Sequence, residues 1–388
     1  LEFRRVLFRS DRARLLELFA ECGFHRYADE LRKELPSEKS WEAEYLLVHD
    51  AAGLDRMLVE LADAETLSVD LETTSIRPTE AEIVGYALAC RPGKAWYVAV
   101  RAPEGQTSLD PDETLEKLRP LLENPEIKKV GQNLKYDMVV LQGAGLRLAG
   151  VHFDSMIASY LLEPGERNHN LDELSQRLLG HTMIPITDVI GVAGRGKEQI
   201  RMDQASVETV CRYAGEDADA ALRLTHLLAP KIAEMGLEKV MYQVETPLIE
   251  VLVDMECAGV RIDPERLRAM GVEFTRRLEE LQQVAWGLAG REFNLDSPTQ
   301  LRKILFEEQK LPVIKRTKTG PSTDQEVLEE LAAQSPLCEA IIEHRKLAKL
   351  KGTYIDALPG LIHPRTGRVH ASFNQTVAAT GQIGRAHV

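Results

Sequence analysis

Residues 66–74 read TLSVDLETT, and this short segment sets the architecture expected for the chain. The pattern predicts a β-strand, and residues two apart in a strand point to the same face. The carboxylates of Asp70 and Glu72 therefore converge. They follow Leu67 and Val69, and an apolar strand that ends in two acids is unfavourable unless a cation neutralises them. An Asp-x-Glu pair alone is a weak signal, and a solvated strand end is the competing interpretation.

Similar β-rich runs surround this segment. YLLVHD, EIVGYALAC and KAWYVAV, beginning at residues 45, 82 and 94, are separated by turn residues, and a helix is predicted from Asp112 to Leu122. Strands and helices then alternate. This order predicts an α/β domain with a mixed sheet that ends near Leu228. After Pro230 the pattern is mainly helical, with no convincing internal repeat.

A second candidate segment, KVGQNLKYDMVVL, occupies residues 129–141. A strand is predicted to end at Val130, Gly131 turns the chain, and a helix begins near Asn133 with Asp137 in its first turns. This pattern could equally be an ordinary strand–turn–helix junction with a surface acid.

A third candidate segment, CRYAGEDADAALRL, occupies residues 211–224. Tyr213 and Asp217 are four residues apart, so they lie on one face of a predicted helix. Asp219 lies about 200° further round than Asp217 and is predicted to face solvent. The Tyr-x-x-x-Asp spacing alone is again a weak signal.

Composition limits the classes of protein to consider. The chain has 388 residues, of which 44% are hydrophobic, so two or three domains with real cores are expected and collagen-like or wholly disordered chains are excluded. No apolar run is long enough for a membrane helix and no secretory signal is evident, which predicts a cytoplasmic protein. The net charge of −13 argues against a general nucleic-acid coat, but not against an enzyme whose carboxylates hold cations.

The cysteines and the two ends carry no further motif. Five scattered cysteines without a CxxC pair favour reduced thiols over a disulfide framework or a zinc site. Residues 1–10 (LEFRRVLFRS) and 384–388 (GRAHV) do not continue the neighbouring patterns, and both are predicted to be non-native tails.

In this order, the three candidate segments resemble the three exonuclease motifs of the family A DNA polymerases of bacteria. Further segments are similar to that family, including HNLDELSQRLLG at 169–180, FNLDSPTQLRKILFEEQKLP at 293–312 and HRKLAKLKGTY at 344–354. The resemblance covers about residues 11–381 and implies a ribonuclease H-like 3′–5′ exonuclease domain over 45–230. It also implies a helical connector over 11–44 and the start of a polymerase domain with its thumb over 231–383, with the palm and fingers absent from this chain.

The resemblance also implies roles for individual residues. Asp70 would bridge two divalent ions, Glu72 and Asp217 would complete the tighter ion site, and Asp137 would hold the second ion mainly through water. Tyr213 would orient the attacking water. Mg²⁺ is the expected ion, with Mn²⁺ or Zn²⁺ as alternatives, since hard divalent ions prefer oxygen ligands.

Four more positions match residues that grip or wedge the terminal nucleotides of a DNA 3′ end, namely Thr73, Ile76, Gln132 and Asn133. Two of them have other interpretations: Ile76 could be a core strand residue, and Asn133 a helix cap. No contact is assigned within residues 183–195, where the similarity is lower.

The thumb-like region is basic within an acidic chain. Residues 301–370 contain 12 Lys or Arg and 9 Asp or Glu. Arg345, Lys346, Lys349 and Lys351 are predicted to contact the phosphates of duplex DNA without reading its sequence, and a solvated helix face is the alternative. A monomer is expected.

The leading hypothesis is therefore a proofreading 3′–5′ exonuclease that hydrolyses DNA 3′ ends by a two-metal mechanism. Such a mechanism places two ions about 3.5–4 Å apart to stabilise the attacking and leaving oxygens. A ribonuclease D-like RNA exonuclease has the same acids, but the thumb-like continuation argues against it. A non-catalytic DNA-binding module is the other alternative, and the presence of all four acids and the tyrosine argues against that.

Overall fold

The structure is a computed structural model that describes residues 42–387 except 167, 193, 195–198 and 319, with six scattered residues before them. The predicted tail at 1–10 and most of the predicted connector at 11–44 lie outside the described residues. The chain divides into two compact units. The first reaches Cys257 and also includes Ser372–Ala386, and the second runs from Ala258 to Ala371.

The first unit is built on a mixed six-stranded sheet in the order β1-β4-β3-β2-β5-β6. β2, β3 and β4 form an antiparallel meander, and β1, β5 and β6 each add in parallel to a neighbour. The predicted mixed α/β fold is confirmed, although β1 pairs with β4 and not with the strand that follows it. The strands are β1 (Glu44–Val48), β2 (Thr66–Thr73), β3 (Ile83–Arg91), β4 (Lys94–Ala99), β5 (Lys128–Gly131) and β6 (Val151–Asp154).

Helices cover this sheet, and the longest of them, α7, packs against β1 to β4. Its central residues are buried on almost every side, because α4 and α5 pack against it from outside the sheet. The helices of the first unit are α1 (Ala51–Leu61), α2 (Pro111–Leu122), α3 (Leu134–Gly143), α4 (Ser155–Leu162), α5 (Leu171–Leu174), α6 (Ile186–Ile190), α7 (Val207–Glu234), α8 (Glu238–Val240) and α9 (Thr246–Ala258).

The first unit ends later than the sequence pattern suggests. The α/β domain was expected to end near Leu228, but α7 continues through Pro230 to Glu234. A proline removes one helical hydrogen bond, whereas Leu228 and Ile232 on either side are buried in the core, so packing outweighs the loss. The chain turns only at Gly236, which has a positive φ of 69°.

Residues 372–378 are held to the first unit by specific hydrogen bonds. The Phe373 amide donates to Glu256 Oε1 at 2.7 Å, and the Tyr160 hydroxyl donates to the Ala378 carbonyl at 2.7 Å. Glu256, which is buried, also pairs with Lys135 of α3. The strands here are β9 (Ala371–Asn374) and β10 (Gly384–His387), which form a small sheet of their own.

The second unit is mainly helical, as predicted, and has its own core around Leu301, Leu328 and Ile341. It contains a short hairpin, and its last long helix begins at Pro336. The elements are α10 (Pro264–Ala289), α11 (Pro298–Arg302), β7 (Arg316–Thr317), β8 (Gly320–Pro321), α12 (Gln325–Ala332) and α13 (Pro336–Leu350).

Two expectations from composition can be compared with the described part of the chain. None of its helices is long and apolar enough to cross a membrane. Cys90, Cys211, Cys257 and Cys338 are free thiols, as expected, while Cys22 lies outside the described residues.

Candidate active site

Three carboxylates converge where β2 passes α7. Oxygen atoms of Asp70, Glu72 and Asp217 all lie within 4.8 Å of one another. Asp70 and Glu72 share one face of β2 as their spacing predicts, and Asp217 reaches them from α7. The structure thus brings together three of the predicted site residues.

Burial and mutual repulsion make this group of acids unfavourable as free anions. Burial raises the pKa of Asp70 to about 7. Burial, and then the Asp70 carboxylate, raise the pKa of Glu72 well above its ordinary value. Burial is also the largest cause that raises the pKa of Asp217 well above its ordinary value, and the charges of Asp70 and Glu72 raise it further. Like charges brought together in this way favour proton or cation binding. Because every ligand atom is a carboxylate oxygen, hard divalent ions such as Mg²⁺ or Mn²⁺ suit the group.

Asp137 lies next to this group but outside it. Its Oδ1 accepts a hydrogen bond from the Leu71 amide at 3.1 Å, so it lies beside the strand between Asp70 and Glu72. That amide is available because the pairing of β2 with β5 ends at Ser68. Burial, and then the charge of Asp70, raise the pKa of Asp137 well above its ordinary value. A carboxylate that lies just outside the group of three in this way can bind a second ion through water.

A turn at Gly131, between β5 and α3, places Asp137 in this position. A Cβ on Gly131 would lie 2.8 Å from the Val69 carbonyl oxygen, so only glycine allows β5 to approach β2 there before the chain enters α3. Asn133, the next residue but one, has a left-handed φ of 57°. It occupies the position before α3, but its side chain makes no capping hydrogen bond, so the alternative of a helix-capping side chain is not met.

Asp154 replaces Asn133 as the cap, and sequence reasoning missed it. Its buried carboxylate accepts hydrogen bonds from the amides of Asn133 and Leu134 at the start of α3 and of Met156 and Ile157 in α4. One acid thus fixes the start of both helices. Its position at the end of a strand and directly before a helix is a recognisable N-cap signal in the sequence.

Tyr213 is half-buried on α7, one turn before Asp217. Burial, followed by the charges of Asp217, Glu72 and Asp70, raises the pKa of Tyr213 above its ordinary value. The phenol therefore keeps its proton near neutral pH and can act as a hydrogen-bond donor beside the carboxylates.

The loop after β2 presents an apolar side chain to solvent. Ile76 is 93% exposed, so the alternative of a core strand residue is wrong. The Thr73 hydroxyl donates to the Ser75 carbonyl at 3.1 Å, and the Tyr136 hydroxyl donates to that carbonyl at 2.5 Å. These bonds hold the loop in place. The Ile76 side chain is therefore accessible at the surface of this loop.

Gln132 has partners within the protein. Its Nε2 donates to the His169 carbonyl at 2.7 Å, and its Oε1 accepts from the Ser155 hydroxyl at 2.5 Å. The side-chain amide is therefore held by α4 and by the segment before α5, and its expected contact with a nucleotide stays a prediction.

Sequence reasoning missed two acids whose charges act on the site, and it placed a third acid of α7 wrongly. The charges of Asp172 and Glu216 also contribute to the raised pKa of Asp217. Asp219, predicted to face solvent, is completely buried. That prediction was wrong because β1 and the β3–β4 turn cover this side of α7 and donate hydrogen bonds to Asp219.

In the second unit, the four predicted phosphate contacts differ in availability. Lys346 and Lys349 are exposed on α13. Arg345 is half-buried and donates to the Thr323 carbonyl at 2.5 Å, and Lys351 pairs with Asp356 at 2.7 Å. Two of the four side chains thus have partners inside the second unit.

Comparison with protein families finds two matches. A family described as 3′-5′ exonuclease matches residues 45–233, and a family described as DNA polymerase family A matches residues 264–387. Together the two matches cover well over half of the chain. The second extends into the segment at 384–388 that was predicted to be a tail.

Curated relatives give the same result. DNA polymerase I of Pseudomonas aeruginosa is 40% identical over 96% of this chain and 42% of its own length. DNA polymerase I of Chloroflexus aurantiacus is 39% identical over 87% of this chain and 36% of its own length. The chain thus spans less than half the length of these two relatives.

A solved structure supports the fold. It is described as the POL domain of Pol1 from M. smegmatis in complex with DNA primer-template and dNTP. It is 27% identical, has a TM-score of 0.73, and the match covers 87% of this chain and 54% of that one.

Proposed function

Because the chain belongs to DNA polymerase family A and carries the family's 3′–5′ exonuclease domain, we propose that its first unit removes nucleotides from the 3′ ends of DNA. The observation that carries the proposal is the convergence of the Asp70, Glu72 and Asp217 oxygens within 4.8 Å. Two ions held there would lower the pKa of a bound water and stabilise the charge that develops on the attacking and leaving oxygens.

The residues divide this work by position. Asp70, Glu72 and Asp217 would hold the ions directly, and Asp137 would contribute through water because it stands outside the group of three. Tyr213, which retains its proton, would orient the attacking water by a hydrogen bond. Mg²⁺ is the proposed ion, with Mn²⁺ or Zn²⁺ as alternatives, since the ligands are all oxygen atoms.

The substrate would enter along the loop after β2. Ile76 is exposed there and can pack against a terminal base, while Thr73 fixes the loop. Asn133 has a side chain that does not cap α3, so its amide can bind the 3′-terminal nucleotide. Gln132, which is held by the His169 carbonyl and the Ser155 hydroxyl, would support the turn that carries Asn133. The single-stranded 3′ end is therefore the proposed ligand of the first unit.

The second unit would bind duplex DNA through the exposed Lys346 and Lys349. The M. smegmatis neighbour is described in complex with DNA primer-template, which agrees with this assignment. We assign residues 45–230 to the exonuclease domain and 231–383 to the start of the polymerase domain and thumb. The whole protein would then be a DNA-directed DNA polymerase of replication and repair, acting in the cytoplasm as a monomer.

Hydrolysis of matched DNA and RNA oligonucleotides tests the proposal. With Mg²⁺, single-stranded DNA labelled at its 5′ end should shorten progressively from the 3′ end, and EDTA should stop the reaction. Preferential hydrolysis of the RNA would favour a ribonuclease D-like enzyme. Tight DNA binding without hydrolysis of either strand would favour a non-catalytic module.

A further inference from the structure

Two buried carboxylates on α7 flank Asp217 without facing the site. Around the helix axis, Tyr213 lies about 40° from Asp217, whereas Glu216 and Asp219 lie about 100° and 160° away. The exposed fractions of Glu216 and Asp219 are 6% and 0%. Carboxylates buried to this extent require polar partners, so the identity of these partners shows what the two side chains do.

Glu216 uses both of its oxygens on one loop. Its Oε1 lies 2.8 Å from His181 Nε2, and its Oε2 accepts a hydrogen bond from the Ile184 amide at 2.6 Å. Glu216 therefore joins α7 to the chain segment that passes beside it, immediately next to the residue that completes the carboxylate group.

Asp219 connects α7 to the sheet on another side. Its Oδ2 accepts from the Tyr45 hydroxyl of β1 at 3.2 Å, and its Oδ1 accepts from the Gly93 amide in the β3–β4 turn at 2.9 Å. Arg223, one turn later on α7, donates its Nε to the same carboxylate at 3.0 Å. Asp219 thus contacts two different parts of the sheet.

Between residues 212 and 221, the buried apolar residues of α7 are all small. Small side chains interdigitate weakly with a neighbouring surface, so they resist rotation of a helix less than large ones do. These residues are Ala214, Gly215, Ala218, Ala220 and Ala221, and larger buried side chains such as Val210 and Leu222 lie on either side of this stretch. Within this stretch, directional hydrogen bonds can therefore add to the orientation that the flanking side chains provide.

We infer that Glu216 and Asp219 are positioning residues that fix the rotation of α7, so that Tyr213 and Asp217 point at Asp70 and Glu72. This inference rests on the proposed function. Partners that orient the ligands of a metal typically change metal affinity roughly 10- to 100-fold when they are removed. The effect on this chain should therefore appear in metal binding even without DNA.

Glu216→Asp tests the inference, because it keeps the charge and shortens the side chain by one methylene. Mn²⁺ binding is measured by titration calorimetry on the full chain, and the dissociation constant should rise roughly 10- to 100-fold. The Mn²⁺ concentration that half-saturates single-turnover DNA hydrolysis should rise in parallel. Glu208→Gln, which changes an exposed acid in the first turn of α7, should leave both unchanged.

Glu216→Gln separates positioning from simple charge. If only the negative charge matters, the glutamine variant weakens Mn²⁺ binding and the aspartate variant does not, which would overturn the inference. Asp219→Asn provides a second variant should Glu216→Asp fail to fold, with urea unfolding as the check. A folded Asp219→Asn protein with wild-type Mn²⁺ affinity would likewise contradict it. Absence of Mn²⁺ binding or DNA hydrolysis in the wild type would instead reject the proposed function itself.

Discussion

Tyr213 stands beside three carboxylates, and these surroundings decide between two chemical roles. A tyrosine with a lowered pKa could remove a proton from water, but burial and the adjacent Asp217 raise the pKa of Tyr213. The hydroxyl therefore remains protonated near neutral pH and serves as a donor that orients water.

Tyr213→Phe should consequently lower the single-turnover rate of DNA hydrolysis while leaving Mn²⁺ and DNA affinities nearly unchanged. The loss of one hydrogen bond to the transition state should cost on the order of 2–4 kcal/mol, roughly 30- to 1,000-fold in rate. Rapid-quench kinetics at saturating metal measures this. An unchanged rate would show that Tyr213 is only a packed side chain and that another group orients the water.

Lys129 offers a test on the other side of β5, away from the acids. It is fully buried, its Nζ donates to the Asn124 carbonyl at 2.5 Å, and burial lowers its pKa from 10.5 to about 8. At pH values between these two pKa values, Lys129 keeps its proton in the unfolded chain and releases it in the folded chain. The unfolded state then binds more protons, so stability rises with pH across this interval.

Relative to Lys129→Met, the wild type should gain on the order of 1–3 kcal/mol in unfolding free energy between pH 7 and pH 10. Urea unfolding at both pH values measures the difference. Lys128→Met, at the exposed neighbouring position, should show no such change. Equal pH dependence in the two variants would mean that Lys129 titrates normally.

Single residues also show where sequence reasoning reaches its limit. The spacing of Asp70 with Glu72, and of Tyr213 with Asp217, is local, so strand and helix periodicity predicted which side chains share a face. The burial of Asp219 and the bonds of Gln132 depend on elements far away in sequence. No local pattern contains β1, the β3–β4 turn and His169, which provide their partners.

Among the elements, α7 depends on a close approach to β1. A Cβ added at Gly215 would lie 2.8 Å from Cγ of Tyr45, near the rigid base of that ring. The helix could accommodate it only by moving away from the strand. Since α7 also carries Asp217, such a movement would disturb the carboxylate group as well as the packing.

Gly215→Ala should therefore destabilise the protein by about 1–3 kcal/mol through overpacking, although alanine favours helix by about 1 kcal/mol over glycine. It should also lower the exonuclease rate. Gly143→Ala, at the end of α3, is the matched control, because nothing lies within 4 Å of the added atom. A Gly215→Ala protein as stable as the Gly143→Ala protein would contradict the close approach.

α13 presents two cations that can contact DNA phosphates. Lys346 and Lys349 are three residues apart, exposed and on one face, so they can follow a phosphate backbone together. Replacing both by alanine should weaken duplex binding and reduce the slope of log affinity against log salt by about 2. Fluorescence anisotropy at several salt concentrations measures this slope. Alanine replacement of the exposed Arg56 and Lys128 is the control. If the slope for the α13 variant equals the slope for this control, α13 does not contact the DNA.

For the molecule as a whole, the sequence predicted the mixed α/β fold and the helical region after it, because both follow from local patterns and from resemblance to a family. It did not predict that Ser372–Ala386 belongs to the first compact unit. That grouping depends on long-range bonds such as those of Phe373 to Glu256 and of Tyr160 to Ala378, which no periodicity reveals.

The two-ion assignment itself is tested by single-turnover hydrolysis of 5′-labelled single-stranded DNA in Mg²⁺. The wild type is compared with Asp70→Ala. Asp70 belongs to the group of three carboxylates, so its removal should abolish hydrolysis. Folding should be preserved, because relief of like-charge repulsion offsets the lost side chain. Urea unfolding of the same preparations confirms this. An Asp70→Ala protein that is folded and shortens the strand at the wild-type rate would contradict the assignment of this site as the exonuclease centre.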